Sequence, residues 1–376
     1  MNTVEGIGGV KARASLNQLL LQNTLLRDRK MVSQEIPNLR GFNQVTGEQS
    51  HGNSVLVTGA TGFIGGHVTK ALCDAGYAVT ALVRQSSRTN LSESSIRYVV
   101  GDLTDSASVR QAVQGVDAVV HVAGFISTAS RDRQRLHDVN VIGARNLLAA
   151  VSSANIRRVV FTSTTSAVGA LITNRPSEAL SEEAGFNLRS VQAPYIQVKR
   201  AAHEAALKAR QEGLPLVVLS PTLVLGPGVN RLTSMELIDT FVRRRLPGYL
   251  EGGLNAVDVR DLAQAYVTVL SHPDPAPHYI LAGAENLTMQ QLFQRLESVS
   301  GIRAPRRRIR RRTALVLGAL VQRVAPQSSF SPASVRLGTL YWYFNAAAAR
   351  RDLNFCPRPL NETLQDAVEW VRTEKH

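Results

Sequence analysis

Residues 54–65 read Ser-Val-Leu-Val-Thr-Gly-Ala-Thr-Gly-Phe-Ile-Gly. Residues 55–57 predict a buried strand and residues 67–74 predict a helix, so the three glycines lie in the turn between them. Glycine lets the backbone approach a pyrophosphate closely, and the unpaired N–H groups at a helix start attract its charge. The alternative is a tight turn that only packs the helix on the strand. We predict a dinucleotide-binding turn formed by Gly59, Thr61, Gly62, Phe63, Ile64 and Gly65.

From residue 54 onward, short apolar runs alternate with helical segments, which is the pattern of βαβ units and a parallel sheet. The predicted strands cover residues 55–57, 78–83, 96–100, 118–122, 159–162, 216–219 and 279–281. We therefore predict an α/β fold: a Rossmann domain with a doubly wound parallel sheet, and a smaller, discontinuous C-terminal part that binds the substrate.

The same pattern predicts how the chain is divided. Residues 1–52 are polar and carry little periodicity, so we expect a flexible N-terminal extension. Residues 53–225 are expected to form the dinucleotide-binding domain, to which residues 256–283 return. Residues 226–255 and 284–376 are expected to form the substrate-binding part.

The composition excludes several classes of protein. The 376 residues are 44% hydrophobic and 19% charged, which is typical of a globular protein. Two cysteines, Cys73 and Cys356, are too few for a disulfide framework or a cysteine-built zinc site, and they fit a reducing compartment. No spacing of His, Cys and carboxylates predicts a metal site, and no apolar stretch approaches the roughly 20 residues that cross a bilayer. We expect a cytoplasmic protein, with a peripheral membrane position or plastid import as the alternatives.

The residue at the end of the second predicted strand distinguishes the two nicotinamide cofactors. An acid there binds the free 2′-hydroxyl of the adenosine ribose in NAD, whereas an arginine accommodates the 2′-phosphate of NADP. Arg84 occupies this position, and Ser86, Ser87 and Arg88 follow it. Two guanidinium groups and two hydroxyls suit a phosphate, so we predict NADP rather than NAD. Solvated loop arginines are the alternative.

Tyr195 and Lys199 stand four residues apart in a segment predicted to be helical to about residue 211, so they share one face. An isolated phenol has a pKa of about 10, but an ammonium roughly 4 Å away favours the phenolate by about 4 kcal/mol. We therefore expect Lys199 to lower the pKa of Tyr195 by about three units, and the pair to donate a proton to a carbonyl oxygen near neutral pH. The alternative is a surface helix with an ordinary tyrosine and lysine.

Several motifs together resemble the extended branch of the short-chain dehydrogenase/reductases, the superfamily of NAD-dependent epimerases and dehydratases. They are residues 58–65, 101–105, 121–124 and 140–143, the hydroxyl cluster after Phe161, and Tyr195 with Lys199. Further motifs are similar to the dihydroflavonol reductase and 3β-hydroxysteroid dehydrogenase-like group: residues 221–222, 226–228, 257–263, 362–364 and 369–370. The resemblance extends from about residue 53 to residue 372 and leaves only the N-terminal extension unmatched.

The resemblance implies roles that spacing does not give. In the family, an Asp at the position of Asp102 meets the adenine, and the segment of residues 121–124 lines the cofactor cleft. The catalytic hydroxyl would be the third residue after Phe161, which is Thr164, where most relatives have serine; the neighbouring Ser163, Thr165 and Ser166 leave this assignment open. Besides Tyr195 and Lys199, the resemblance places these residues at the cofactor: Asp102, Leu103, Val122, Ala123, Gly124, Pro221 and Thr222.

Two of the motif residues also have structural interpretations. Asp102 is suited to cap the helix predicted from residue 106, because Asp is a favoured N-cap residue. His121 stands inside an apolar strand, where a histidine is more often a core residue with a hydrogen-bond partner than a catalyst. We assign His121 no catalytic role.

The motifs and the resemblance together indicate an NADPH-dependent oxidoreductase that transfers hydride reversibly to a ketone or aldehyde. The expected partner is a small carbonyl or hydroxyl compound, and a homodimer is compatible with the sequence. One alternative is a nucleotide-sugar epimerase or dehydratase that retains NAD, against which Arg84 argues. The other is a non-enzymatic redox sensor that binds NADP, although such relatives usually lack the intact catalytic tyrosine.

The formal net charge is +14, and much of it lies in the run of residues 306–312, which has six arginines around Ile309. An apolar stretch that includes residues 314–321 follows the run. One interpretation is a loop and helix of the substrate-binding part with a solvated basic edge, and the other is weak attachment of residues 306–324 to anionic lipid. We expect no nucleic-acid binding, because no aromatic residues are interleaved with the arginines and no recognised module accompanies them.

Overall fold

The computed structural model describes residues 53–84, 96–127, 130–191, 193–228, 234–325, 328 and 330–373. The strands are β1 (Ser54–Thr58), β2 (Ala78–Val83), β3 (Arg97–Val100), β4 (Ala118–His121), β5 (Arg158–Thr162), β6 (Leu216–Pro221), β7 (Leu223–Leu225), β8 (Tyr249–Leu250), β9 (Gly253–Asp258), β10 (His278–Leu281), β11 (Asn286–Thr288) and β12 (Arg308–Ile309). The helices are α1 (Phe63–Asp74), α2 (Ser106–Ala112), α3 (Arg133–His137), α4 (Gly143–Ser152), α5 (Pro194–Gln211), α6 (Ser234–Val242), α7 (Val259–Ser271), α8 (Met289–Ser300), α9 (Arg311–Val324), α10 (Pro332–Gly338), α11 (Ala347–Leu353) and α12 (Leu360–Thr373).

The large sheet is parallel throughout and has the strand order β10-β6-β5-β4-β1-β2-β3. Strand β1 lies between β2 and β4, so Val57 is level with Ala81 on one side and with Val120 on the other. The strand order reverses between β1 and β4. In such sheets the ligand binds where the order reverses, at the carboxyl ends of the strands.

Two hydrophobic cores cover the two faces of this sheet. Along β1, Val55 and Val57 belong to one core while Leu56 belongs to the other, because successive side chains of a strand point to opposite faces. Residues of α1 and α7 complete the first core, and residues of α2, α4 and α5 complete the second. Helices on both faces explain why the inner strands are nearly continuous apolar runs, whereas the edge strand β3 is largely exposed.

A separate core lies beside the sheet and is formed by later segments. Strand β9 pairs with β7 and β11 in a three-stranded sheet, while β8 pairs with β12. Side chains of α6, α8 and α12 pack together in this core, with Ile238, Leu292 and Leu364 fully buried. This region contains the segments predicted to bind the substrate.

The seven strands of the large sheet coincide with the seven predicted strands, and the predicted α/β fold class is confirmed. Strand β10 pairs with β6 at the edge of the large sheet, although nearly 60 residues separate them. The division into a cofactor domain and a substrate-binding part stays a prediction. Residues 1–52 lie outside the described residues. Among the described residues, no helix is long and apolar enough to cross a membrane.

Candidate active site

The glycines of the first turn are required by the geometry. Gly59 has a φ of +77°, a left-handed conformation that favours glycine, and a Cβ there would stand 2.6 Å from the backbone nitrogen of Ala123. A Cβ on Gly65 would stand 1.9 Å from the carbonyl oxygen of Gly59. The amide of Gly62 donates to that same oxygen at 3.0 Å and closes the turn. A side chain at either glycine would clash with the backbone, so only glycine lets the turn pack this closely against Ala123 and against α1.

The start of α1 provides a place for a pyrophosphate. Gly62 is the N-cap residue, and no side chain caps the helix. Thr61 and Gly62 are exposed, while Phe63 and Ile64 are half-buried. An uncapped helix start presents backbone N–H groups and the positive end of the helix dipole. The residues of this turn therefore suit a dinucleotide pyrophosphate, and their binding to one stays a prediction.

The neighbouring strand ends bring Arg84 and Asp102 to the same edge of the sheet. Arg84 follows β2 directly and is exposed, and the amide of Gly101 donates to the carbonyl oxygen of Val83 at 2.9 Å. Leu103 is buried beneath this edge. Arg88 lies outside the described residues. The positions of Arg84 and Asp102 suit the adenosine half of a dinucleotide.

The suggestion that Asp102 caps the following helix is wrong. Asp105 is the N-cap residue of α2, and its carboxylate accepts from the amides of Ala107 and Ser108 at 3.0 and 3.3 Å. Asp102 lies three residues too early for this contact, and its Oδ1 accepts from the amide and the hydroxyl of Thr104, both at 2.8 Å. Asp102 therefore stabilises the loop at the sheet edge.

His121 is a buried residue that joins two strands. The Thr58 hydroxyl and His121 Nδ1 are 2.8 Å apart, across the carboxyl ends of β1 and β4. Burial, together with the positive charge of Lys199, lowers the pKa of His121 to about 3. The imidazole is therefore neutral near pH 7. Val122 and Ala123, which follow it, are half-buried, and Gly124 is exposed.

Tyr195 and Lys199 lie on the face of α5 that points toward the sheet. Lys199 Nζ donates to the carbonyl oxygen of Thr162, the last residue of β5, at 3.4 Å, and the side chain is buried. A Cβ added to Gly124 would stand 3.9 Å from Nζ. Tyr195 is half-buried and packs against the cluster that contains Ile196. The lysine therefore lies between the ends of β4 and β5.

The expected lowering of the Tyr195 pKa is wrong for this structure. Burial raises the pKa of the phenol to about 12 and lowers the pKa of the Lys199 ammonium to about 8. Each shift has the same cause, because a low-dielectric surrounding disfavours the charged form of either group. Near pH 7 the phenol is therefore protonated, as a proton donor must be, and the lysine is mostly charged.

Four hydroxyl residues, 163–166, follow β5, and two of them have buried hydroxyls that bond other groups of the protein. The Ser163 hydroxyl is buried and bonds His203 Nδ1 at 2.9 Å, and the buried Thr165 hydroxyl donates to the carbonyl oxygen of Pro221 at 3.2 Å. Thr164 is half-buried, and its Oγ1 is 3.2 Å from the Ser166 hydroxyl and accepts from the Ser166 amide at 3.3 Å. Thr164 and Ser166 are the pair left accessible. The assignment to Thr164 stays a prediction.

Pro221 ends β6, and Thr222 follows it with a buried side chain. The Thr222 hydroxyl donates to Asn255 Oδ1 at 3.0 Å, so it is occupied by the protein itself. Asn255 also accepts from the amide of Gly283 at 2.7 Å, which connects β9 with the end of β10. The predicted contacts of Pro221 and Thr222 with the cofactor are untested.

Two residues near the site received no role from the sequence. Asn140 is buried in a π-helical turn, Asp138–Ile142, and its side chain donates to the carbonyl oxygen of Phe125 at 2.8 Å and accepts from the Phe125 amide at 3.2 Å. It holds the loop after β4 beside Lys199. His203 lies one turn beyond Lys199 and contacts Ser163. His203 follows Lys199 by four residues, so the sequence already places both on the same face of the helix.

Comparisons with known proteins identify the family of the chain. Residues 55–283 match the NAD dependent epimerase/dehydratase family. The chain is 33% identical over 330 residues to a Synechocystis protein provisionally named dihydroflavonol 4-reductase, a match that covers 84% of this chain and 94% of that protein. It is 31% identical over 325 residues to the 2-alkyl-3-oxoalkanoate reductase of Stenotrophomonas maltophilia, with 81% of this chain and 94% of the relative covered.

The fold also agrees with a solved structure. The UDP-glucose 4-epimerase of Thermus thermophilus in complex with NAD superposes with a TM-score of 0.66 at 20% identity, over 85% of this chain and 99% of that one. At 20% identity, this similarity shows only that the two proteins share a fold. The family match covers the glycine turn, Tyr195 and Lys199, and it confirms the resemblance stated from the motifs. The chain belongs to the NAD-dependent epimerase/dehydratase family and is an NAD(P)-dependent enzyme of the extended short-chain dehydrogenase/reductase type.

Proposed function

We propose that the protein is an NADPH-dependent reductase that transfers hydride reversibly to the carbonyl carbon of a ketone or aldehyde. The observation that carries the proposal is the position of Lys199, buried between the end of β5 and Gly124 and one helical turn from Tyr195. The names of the two relatives, both reductases, support this direction of the reaction.

Tyr195 is proposed to supply the proton. A nicotinamide dinucleotide, when bound, would supply the hydride for the carbonyl carbon. The Tyr195 hydroxyl would give its proton to the carbonyl oxygen, so the product would be an alcohol. A phenol with a pKa of about 12 holds that proton firmly near neutral pH. The proton is transferred only as negative charge develops on the oxygen.

Lys199 is proposed to act on both tyrosine and cofactor. Its ammonium stabilises the phenolate that Tyr195 becomes after it has given its proton, since opposite charges attract strongly in a buried site. It is also positioned to bind the nicotinamide ribose, because Nζ lies beside the loop after β4 that borders the predicted cofactor cleft. Thr164 is proposed to donate a hydrogen bond to the carbonyl oxygen and to orient it.

The preference for NADPH is proposed from Arg84. Its side chain is exposed at the end of β2, and among the described residues it forms no ion pair with an acid. A guanidinium free of a carboxylate is suited to bind the 2′-phosphate of NADP, because Arg forms bidentate hydrogen bonds with phosphate oxygens. The substrate is proposed to bind between this sheet edge and residues 226–255 and 284–376.

The proposal is tested with a panel of ketones and aldehydes, by following the loss of NADPH absorbance with the purified chain. We expect turnover of at least one carbonyl compound with NADPH and slower turnover with NADH. The control is to denature the protein and assay the supernatant for nicotinamide dinucleotide. Tightly bound NAD released from the protein, together with no carbonyl reduction across the panel, would favour the epimerase alternative and contradict the proposal.

A further inference from the structure

Helix α9 presents large apolar side chains to solvent. Val316, Leu317, Leu320 and Val324 are 61%, 45%, 52% and 82% exposed. At about 100° per residue these four side chains fall within one sector of the helix surface. We call them the α9 stripe. Single exposed apolar residues are ordinary, but a continuous stripe of four indicates a surface that binds something.

The opposite side of the same helix is already packed. Ala314 and Gly318 are buried, and a Cβ on Gly318 would stand 3.1 Å from the backbone carbon of Ser331, just before α10. Small residues let the two segments approach closely. The two fully buried positions of the helix are therefore small residues, while four of its large apolar residues are exposed, the reverse of an ordinary surface helix. The α9 stripe is not needed for this packing.

Positive charge surrounds the start of the stripe. All six arginines between residues 306 and 312 are exposed, and the pairing of β12 with β8 fixes the run directly ahead of α9. Arg308 pairs with Glu251, whereas no other arginine of the run pairs with an acid in the part of the chain that the structure describes. No Asp or Glu occurs between Glu297 and Asp352. The whole segment is therefore cationic.

We propose that the α9 stripe and the arginine run bind the surface of an anionic lipid bilayer. A helix with an apolar face and cationic neighbours lies in the plane of the membrane interface, with its aliphatic side chains at the boundary between headgroups and acyl chains. The guanidinium groups face the lipid phosphates, to which they donate hydrogen bonds. The stripe is aliphatic throughout and has no aromatic ring for stacking on nucleic-acid bases.

The test is co-sedimentation of the full chain with two kinds of vesicle at low salt: phosphatidylcholine alone, and phosphatidylcholine with about one third phosphatidylglycerol. We expect the fraction bound to anionic vesicles to exceed that on neutral ones by about tenfold, and to fall by a similar factor at roughly 0.5 M salt, because screening weakens surface charge attraction.

Arg311→Gln with Arg312→Gln should lower binding at low salt. Leu317→Ser with Leu320→Ser should lower it at all salt concentrations.

Matched control variants remove the same side-chain types elsewhere. Val100→Ser with Ile126→Ser removes two exposed apolar residues outside α9, and Arg110→Gln with Arg350→Gln removes two exposed charges. Both controls should bind vesicles like the wild type. Circular dichroism and thermal unfolding verify that each variant is folded.

Three results would overturn the proposal. One is no binding to anionic vesicles at low salt, and another is equal binding by the stripe variant and the wild type. The third is a lipid-free dimer in sedimentation velocity that Leu317→Ser with Leu320→Ser dissociates, because the stripe would then be a contact between two copies. This test is independent of the reductase activity, so the failure of either proposal leaves the other standing.

Discussion

The Ser163 hydroxyl lies 2.9 Å from His203 Nδ1, and this contact joins the end of β5 to the helix that carries Tyr195 and Lys199. Both side chains are buried. His203 in turn packs edge-on against His278, at 5.0 Å between ring centroids, and His278 Nε2 is 2.8 Å from the Ser220 hydroxyl. A buried network of histidines and hydroxyls therefore connects α5 with β5, β6 and β10, and burial keeps both histidines neutral near pH 7.

These histidines predict a loss of stability in acid. Burial lowers the pKa of His121 and His203 to about 3 and that of His278 to about 4, below the value of 6.5 that applies in the unfolded chain. Below pH 6.5 the unfolded chain therefore binds more protons, and the free energy of unfolding falls by about 1.4 kcal/mol per pH unit for each histidine until the pH approaches its pKa in the folded chain. Urea unfolding between pH 7 and about 4.5 measures this slope. His203→Gln should reduce the slope by the contribution of one histidine. An unchanged slope would contradict the lowered pKa of His203.

Replacing Tyr195 with Phe tests the proton donor. Turnover should fall by a factor of about 10² to 10⁴, the range for a lost general acid, because the proton then has to come from water. The dissociation constant for NADPH should change little, since the phenol oxygen is not needed to hold the pyrophosphate. Tyr77→Phe, on the far side of the sheet beside α1, is the control. Near wild-type turnover in Tyr195→Phe would rule out the mechanism.

Lys199 predicts the pH dependence of reduction. Its pKa is lowered to about 8, so the ammonium is present below that pH and is lost as the pH rises through it. The rate of carbonyl reduction should therefore decline above about pH 8. Lys199→Arg, whose charge persists, should move the decline to higher pH. Lys199→Ala should both slow turnover and weaken NADPH binding, because the lysine has two proposed roles. A decline at the same pH in Lys199→Arg would exclude Lys199 as its origin.

Arg84 predicts the choice of cofactor. Arg84→Asp should weaken NADPH binding by roughly 10- to 150-fold, because a charge-assisted contact worth about 1.5 to 3 kcal/mol is lost and a repulsion is added. Binding of NADH should be little affected, since it carries no 2′-phosphate. Calorimetric titration of both cofactors gives the two constants, and Arg97→Asp at the opposite end of the neighbouring strand is the control. If the wild type binds NAD more tightly than NADP, the proposed preference for NADP is wrong.

The sheet and the glycine turn after β1 are predictable because both depend on local patterns. Apolar runs identify strands buried on both faces, and the glycines follow the first of these runs directly. Strands β8, β11 and β12 have two or three residues each, too few for periodicity to reveal. Their existence depends on contacts between distant segments.

The electrostatics of the site could not be predicted from spacing. The distance between residues i and i+4 of a helix is known from sequence, so attraction between Lys199 and Tyr195 was expected to dominate the phenol pKa. The depth of burial is not known from sequence, and it decides the direction of both shifts. The confusion of Asp102 with Asp105 has a similar origin, because a cap is identified by which carboxylate reaches the helix amides.

The pairing of β10 with β6 has a consequence during synthesis. The cofactor turn, Thr164, Tyr195 and Lys199 have all been made when the ribosome reaches residue 225, but β10 is still missing. Strand β6 then forms an open edge, and its residues 216–219 are Leu-Val-Val-Leu. An unpaired apolar edge is a template for joining other chains. We therefore expect a nascent chain of this length to need protection from such association, and a fragment of residues 53–225 to aggregate more readily than the full chain.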